Sequence, residues 1–207
     1  MANNEKEKIA PLIGFTGPAC SGKDTACDYL TQTYHFRKYS FAAPIKRALM
    51  AMFGLSIQHV DGDLKECNLD WLGKSPRQLM QTLGTEWGRN EVCSDLWVKV
   101  LAHETINDMA LAEEFEEVWV GVISDIRFPE EAVWIRENGG IIVHISRSYI
   151  KSVSPHTSEN GIAIHTNDAV ISNNGTIQEL KKTLDQFVIG LSGLNSNVDK
   201  LRLNPYA

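Results

Sequence analysis

Long apolar runs are missing from this chain. The strongest one near the N-terminus, residues 9–15, is broken by Pro11 and Gly14, and no segment approaches the ~20 apolar residues of a membrane helix. Residues 1–8 are polar and charged and lack the apolar centre of a signal peptide. Cysteine is scarce as well. The four present, Cys20, Cys27, Cys67 and Cys93, form no Cys-x-x-Cys pair and match no histidine ladder, which argues against a zinc or disulfide framework and for reduced thiols in the cytoplasm. Positive charge is also short: 20 Lys+Arg stand against 26 Asp+Glu, a net charge of −6. A coat for nucleic-acid polymers needs a basic face, so an anionic ligand here must be held by a local site. No repeat or low-complexity tract is present, and nothing matches the Gly-x-Gly-x-x-Gly signature of dinucleotide binders.

What is there fits a folded α/β chain. With 43% apolar and 22% charged residues it is too apolar for a disordered polymer, and its 207 residues can bury a core unaided by metal or disulfides. That length predicts one domain with a small insertion at most. Residues 12–16 form a short apolar run that stops at Gly17, and a helical pattern opens near Gly22. Residues 37–42 are predicted as a second strand, because Tyr39 and Phe41 alternate with polar neighbours. Pro44 suits the first turn of a helix ending at Gly54. Residues 55–74, broken by Gly62 and Gly73, are predicted as loops around a short helix.

Ser75 and Pro76 cap and open a further helix that carries Leu79, Met80 and Leu83 toward Trp87, and a long helix follows over about residues 95–115. Residues 118–124 are the most apolar run. Their β-branched content and abrupt end at Asp125 predict a strand buried on both faces of a parallel sheet. Pro129, Glu130 and Glu131 begin a helix that Gly139 and Gly140 end, and residues 141–145 and 169–171 are predicted strands. Thr176 and Glu179 make a capping box for a last helix with the stripe Ile177, Leu180, Leu184, Phe187 and Leu191. Residues 193–207 lack periodicity. Strands alternating with helices predict an α/β fold with a mainly parallel sheet.

Gly17, Pro18, Ala19, Cys20, Ser21, Gly22, Lys23, Asp24 and Thr25 fit the pattern Gly-x4-Gly-Lys. A phosphate chain needs several backbone N–H groups pointing inward, and glycines let the chain wrap closely enough to supply them. Lys23 adds a charge suited to β- and γ-phosphates. The Ser or Thr that ordinarily follows this lysine to bind magnesium is here Asp24, and the hydroxyl arrives one residue later as Thr25. A plain glycine turn with an exposed lysine is the simpler alternative; the strand before and the helix after favour phosphate binding.

Asp125 sits at a strand's carboxyl end, where open α/β sheets bind ligands. It can organise magnesium or its waters beside the loop, or cap the helix beginning near Pro129. Arg127 either pairs with Asp125 or Glu130 or faces a phosphate. Residues 75–89 hold Arg77, Gln78, Gln81, Trp87 and Arg89. Forked arginines suit a phosphate, while amide and aromatic side chains suit a base. Arg77 and Gln81 share one helix face, although composition alone equally describes an amphipathic surface helix. Arg147 and Lys151 follow the strand at 141–145, and the polar stretch beyond holds His156, Ser158 and Glu159. It is either a mobile lid bringing positive charge over a phosphate or a solvated loop.

These residues together carry a resemblance. Through residues 17–25, 41–46, 77–89 and 125–129, with similarity continuing at 156–159 and 168–180, the chain resembles the bacteriophage-type deoxynucleoside monophosphate kinases over about residues 10–190. The Gly-Lys-Asp-Thr form is itself typical of that family. The resemblance implies a three-layer P-loop fold with a mainly parallel five-stranded sheet, a helical acceptor-binding insertion and a small lid. It implies a single kinase domain over residues 1–207, with the acceptor part at about 43–115, the lid at about 147–166 and a tail at 193–207.

The resemblance further implies ATP and Mg2+ as cofactors and a deoxynucleoside 5′-monophosphate as acceptor. On that scheme Gly17, Ala19, Cys20, Ser21, Gly22, Lys23, Asp24 and Thr25 bind the donor, and Thr25, Asp24 and Asp125 organise the metal. Lys23, Asp125, Arg127 and Arg147 form the catalytic set. Phe41, Lys46, Arg77, Gln81, Trp87 and Arg89 hold the acceptor. The expected partner is a small molecule, with no nucleic-acid polymer and no membrane, and a homodimer is compatible with the sequence. Two rivals stay open. One is a kinase for a hydroxyl acceptor such as dephospho-coenzyme A, with Asp24 as candidate base. The other is a regulatory or assembly protein that holds ATP without turnover.

Overall fold

Short apolar segments that each end at a turn residue pair in parallel to make the central layer. The computed structural model describes residues 12–148 and 162–194. Its strands are β1 (Leu12–Thr16), β2 (Arg37–Tyr39), β3 (Gly121–Ile123), β4 (Ile141–Ser146) and β5 (Ala169–Ser172), all parallel, in the order β2-β3-β1-β4-β5. Gly14 lies opposite Ile123 on one side and Ile142 on the other. Strands β1 and β3 are buried along their whole length, as strands flanked at both edges and covered on both faces must be. The helices are α1 (Lys23–Tyr34), α2 (Ala43–Phe53), α3 (Ile57–Val60), α4 (Pro76–Gln81), α5 (Leu96–Glu114), α6 (Pro129–Glu137) and α7 (Ile177–Leu194).

The chain divides into two compact units, Met1–Tyr39 with Thr105–Ala207, and Ser40–Glu104. The first holds the sheet. On one face Ile13, Phe15, Val122, Val143, Ile145 and Ile171 pack with Ala26, Cys27 and Leu30 of α1 and with Leu180, Leu184 and Val188 of α7. On the other face α6 and the segment before it come so close that a Cβ on Gly14 would lie 2.2 Å from Ile126 Cδ1 and 2.8 Å from Ile135 Cδ1. Helix, sheet, helix is the expected three-layer α/β arrangement around a parallel five-stranded sheet.

Several expected boundaries shift for local reasons. Strand β2 stops at Tyr39, because Ser40 starts a turn: its Oγ accepts from Ala42 N and its carbonyl from Ala43 N. Strand β3 is shorter than 118–124, with Val118 exposed and pairing limited to Gly121–Ile123. The stripe of α7 keeps Leu180 and Leu184 inside but exposes Ile177, and Val188, one turn beyond Leu184, joins the core. The capping box is present, with Thr176 N donating to Glu179 Oε2 at 2.7 Å and Glu179 N to Thr176 Oγ1 at 3.2 Å. Of the tail expected at 193–207, residues 193–194 belong to α7; the remainder lies outside the described residues.

The second unit differs most from expectation. Ser75 caps α4 through a reciprocal pair with Gln78, but the α-helix ends at Gln81 and a π-helical stretch, Thr82–Val92, replaces the turn that was to reach Trp87. The cause is Trp97. Its indole Nε1 donates to Gly84 O at 2.7 Å, and its ring lies where a Cβ on Gly88 would be, 2.6 Å from Cζ2. A wider helix with glycines facing the indole accommodates that close approach.

Candidate nucleotide site

Strand β1 is central; its own connection runs to β2 on one side while that of its neighbour β3 runs to β4 on the other, and between such diverging carboxyl ends open sheets leave a crevice for ligands. The chain leaves β1 through three residues with positive φ: Gly17 at 143°, Cys20 at 61° and Gly22 at 106°. Such reversals aim successive backbone N–H groups into one concavity. Gly17 has no alternative, since a Cβ there would lie 2.1 Å from Ile145 O. Cys20 holds a conformation that costs a non-glycine residue about 1–3 kcal/mol. Gly22 caps α1 without a side-chain acceptor, so the first amides of that helix keep their donor capacity for an anion.

Lys23 Nζ donates to Gly17 O at 2.7 Å and to Pro18 O at 2.6 Å. The ammonium thus lies over its own loop, where phosphate oxygens can take the place of those carbonyls. Ser21 is fully buried, and its hydroxyl has no hydrogen-bond partner among the described residues. A cavity of about 250 Å³ opens beside the loop, lined by Cys20, Lys23, Asp24, Thr25, Arg147 and Asn173 among others. Of the residues expected to hold donor phosphates and metal, the cavity lining includes Cys20, Gly22, Lys23, Asp24 and Thr25 but not Gly17, Ala19, Ser21 or Asp125, and it adds Arg147 of the expected catalytic set.

Asp125 follows β3 at the same edge. The next residue is tied to β1, with Ile126 N donating to Phe15 O at 3.3 Å and Thr16 Oγ1 to Ile126 O at 3.1 Å. Burial pushes the Cys27 thiol well above its ordinary value; Lys38 opposes this, while Asp24 and Asp125 push the same way. Cys27 itself is buried in the second turn of α1. Thr25 and Asp24, in its first turn, are exposed. Hydroxyl and carboxylate oxygens are the hard donors Mg2+ takes, usually one or two of them with substrate phosphates and water completing the shell. The residues present fit such an ion.

The cap of α6 comes from a residue not expected at the site. Glu131, only 2% exposed, accepts from Arg127 N at 2.8 Å and Phe128 N at 3.1 Å through Oε2. Its signal was its place in the first turn after Pro129. Arg127 itself is exposed. Lys151, His156, Ser158 and Glu159, the centre of the expected lid, lie outside the described residues.

In the second unit, α2 brings Ile45 against Gly84, where a Cβ would stand 2.9 Å from Ile45 Cδ1. Lys46 pairs with Asp61, and Arg77 with Glu66. Arg89 Nη1 donates to Ser94 O at 3.1 Å. Gln81 ends α4 on the face of Arg77, one turn away. Trp87 is 49% exposed, whereas Phe41 is 3% exposed and packs as core. Each of these basic side chains thus has a neighbour that an incoming phosphate would have to displace.

Sequence reasoning missed Asn173. It is nearly buried, and its Nδ2 donates to Ser21 O at 2.8 Å, directly beneath Gly22. Its position at the carboxyl end of β5, followed by Asn174 and Gly175, was the available signal.

A family model described as deoxynucleotide monophosphate kinase matches residues 11–75 and 66–184. The chain is 34% identical over 194 residues to a protein of Acanthamoeba polyphaga mimivirus, provisionally named a deoxynucleotide monophosphate kinase, covering 89% of this chain and 99% of that one. It is 32% identical over 247 residues to the deoxynucleotide monophosphate kinase of Escherichia phage RB69, covering 86% and 99%. The enzyme of the same name from Enterobacteria phage T4 is 26% identical over 234 residues, covering 82% and 95%.

Proposed function

Because this chain belongs to the deoxynucleotide monophosphate kinase family, we propose that it catalyses ATP + dNMP → ADP + dNDP. The observation that carries this is the loop after β1, with its inward amides, uncapped first turn and Lys23 beside a cavity that Arg147 also lines. The acceptor phosphate is itself an anionic nucleophile near neutral pH, so the protein supplies position and charge rather than a strong base. The family favours this acceptor over the hydroxyl of dephospho-coenzyme A.

Gly17, Ala19, Cys20, Ser21, Gly22 and Lys23 hold the donor phosphates. Thr25, Asp24 and Asp125 hold Mg2+, which when bound neutralises phosphate charge. Arg127 and Arg147 neutralise the transferring group. Arg77 and Arg89 seat the acceptor phosphate, with Lys46 beside them and Gln81 and Trp87 near the base or sugar. The chain acts as a single kinase domain on a small nucleotide in the cytoplasm, without a nucleic-acid polymer or membrane as partner. No helix among the described residues is long and apolar enough to cross a membrane.

The test is ADP release measured with each dNMP, each rNMP and dephospho-coenzyme A. Stimulation by at least one dNMP is expected. Stimulation by dephospho-coenzyme A alone, or by no monophosphate, would reject the proposal.

A further inference from the structure

Two neighbouring amides at the end of β5 reach the phosphate loop and the segment carrying Arg147 together. Asn173 Nδ2 donates to Ser21 O at 2.8 Å, and its backbone N–H donates to Ser146 O at 2.8 Å. Asn174 Oδ1 accepts from Ser148 N at 2.7 Å, while its Nδ2 donates to Ser172 Oγ at 2.8 Å. The residues on either side of Arg147 are thereby tied to the same dipeptide that grips the loop before Lys23. The contact is close: a Cβ on Gly22 would fall 2.4 Å from Asn173 Nδ2.

A buried carbonyl such as that of Ser21 demands a donor. Among side chains of this size the carboxamide supplies one without adding charge beside a triphosphate. An aspartate in place of Asn173 would set an acceptor against an acceptor. Leucine has nearly the same shape and no donor at all. The requirement at this position is therefore chemical and not simply one of volume.

We infer that Asn173 is a positioning residue for the donor nucleotide, setting the phosphate loop and Arg147 in one register through Ser21, Ser146 and, by way of Asn174, Ser148. It touches no reacting atom; it acts through the loop amides and the arginine. The inference rests on the donor role given to the loop under the proposed function. It adds that the loop's geometry is held from β5, far along the chain from β1.

Asn173→Leu and Asn173→Ser, both uncharged, test it in the full chain. The Michaelis constants for ATP and for the best dNMP are measured separately, ATP binding is followed by calorimetry without turnover, and melting is recorded without nucleotide. The constant for ATP should rise roughly tenfold or more, as misplaced phosphate contacts predict, while that for the monophosphate stays within about twofold. ATP binding should weaken in parallel in whichever variant folds. Unchanged ATP binding in a folded variant would overturn the inference, as would equal rises in both constants tracking a lowered melting temperature. A wild-type enzyme that binds ATP yet turns over no monophosphate would instead defeat the kinase assignment, and the calorimetric comparison would still decide the role of Asn173.

Discussion

In the proposed donor site, Lys23 is the positive side chain that the loop after β1 itself provides. It is held over Gly17 O and Pro18 O at hydrogen-bond distance, so its replacement removes charge without opening a core. Lys23→Ala should lower turnover at least ~10²-fold, with folding intact by circular dichroism; near-normal turnover would show that the loop does not hold the transferring phosphate. Arg77 is proposed to hold the other substrate. Its ion pair with Glu66 is exposed and contributes little to stability. Arg77→Ala should therefore leave melting nearly unchanged and raise the Michaelis constant for the monophosphate more than that for ATP. An equal rise in both would place Arg77 elsewhere.

Helix α4 and the π-helical stretch after it illustrate how one distant side chain redirects an element. Ser75, Pro76 and Gln78 start the helix by purely local means. Its later course answers to Trp97, whose indole occupies the space beside Gly84 and Gly88. Gly88→Ala places a methyl 2.6 Å from Cζ2 and 3.0 Å from Leu83 O, an overpacking that should cost about 1–3 kcal/mol. A urea titration checks it, and an unchanged midpoint would mean that the stretch yields freely. Helix α6 offers the converse case, a local signal with a buried agent. Removing the two hydrogen bonds to Glu131 Oε2 by Glu131→Ala should destabilise by roughly 1–3 kcal/mol.

The sheet's second half is tied together by a cluster around Asp168. Its carboxylate accepts from Arg136 Nε at 3.0 Å and Nη2 at 2.7 Å and from His165 N at 2.9 Å, and it contacts His144 Nε2 at 2.9 Å. Helix α6, strand β4 and the approach to β5 are linked through this one side chain, which is 1% exposed. Burial opposes its ionisation, but the hydrogen bonds from Arg136, the His165 amide and His144 outweigh that and bring it down to about 2. A lowered carboxyl pKa stabilises the fold above the unfolded value and ceases to do so as pH falls through the folded one. The molecule should therefore lose about 2 kcal/mol of stability between roughly pH 4 and pH 2 from this group. Denaturant midpoints across that range would show it, and Asp168→Asn should flatten the same limb; an identical limb in the variant would assign the acid loss elsewhere.

Contiguous residues announced the glycine-rich loop after β1, the start of α1, the caps of α4 and α7 and the buried strand before Asp125, because glycine freedom, capping and hydrophobic period are properties of a few neighbours. The family resemblance, carried by the same short motifs, named the chemistry. Tertiary structure alone decided the parts that depend on residues far apart: Trp97 widening the helix that holds Trp87 and Arg89, and Asn173 reaching Ser21 across 152 positions of sequence. None of these leaves a local pattern. Each exists only once the order β2-β3-β1-β4-β5 has placed the end of β5 near the loop that follows β1, or once packing has chosen which side chain fills a given space.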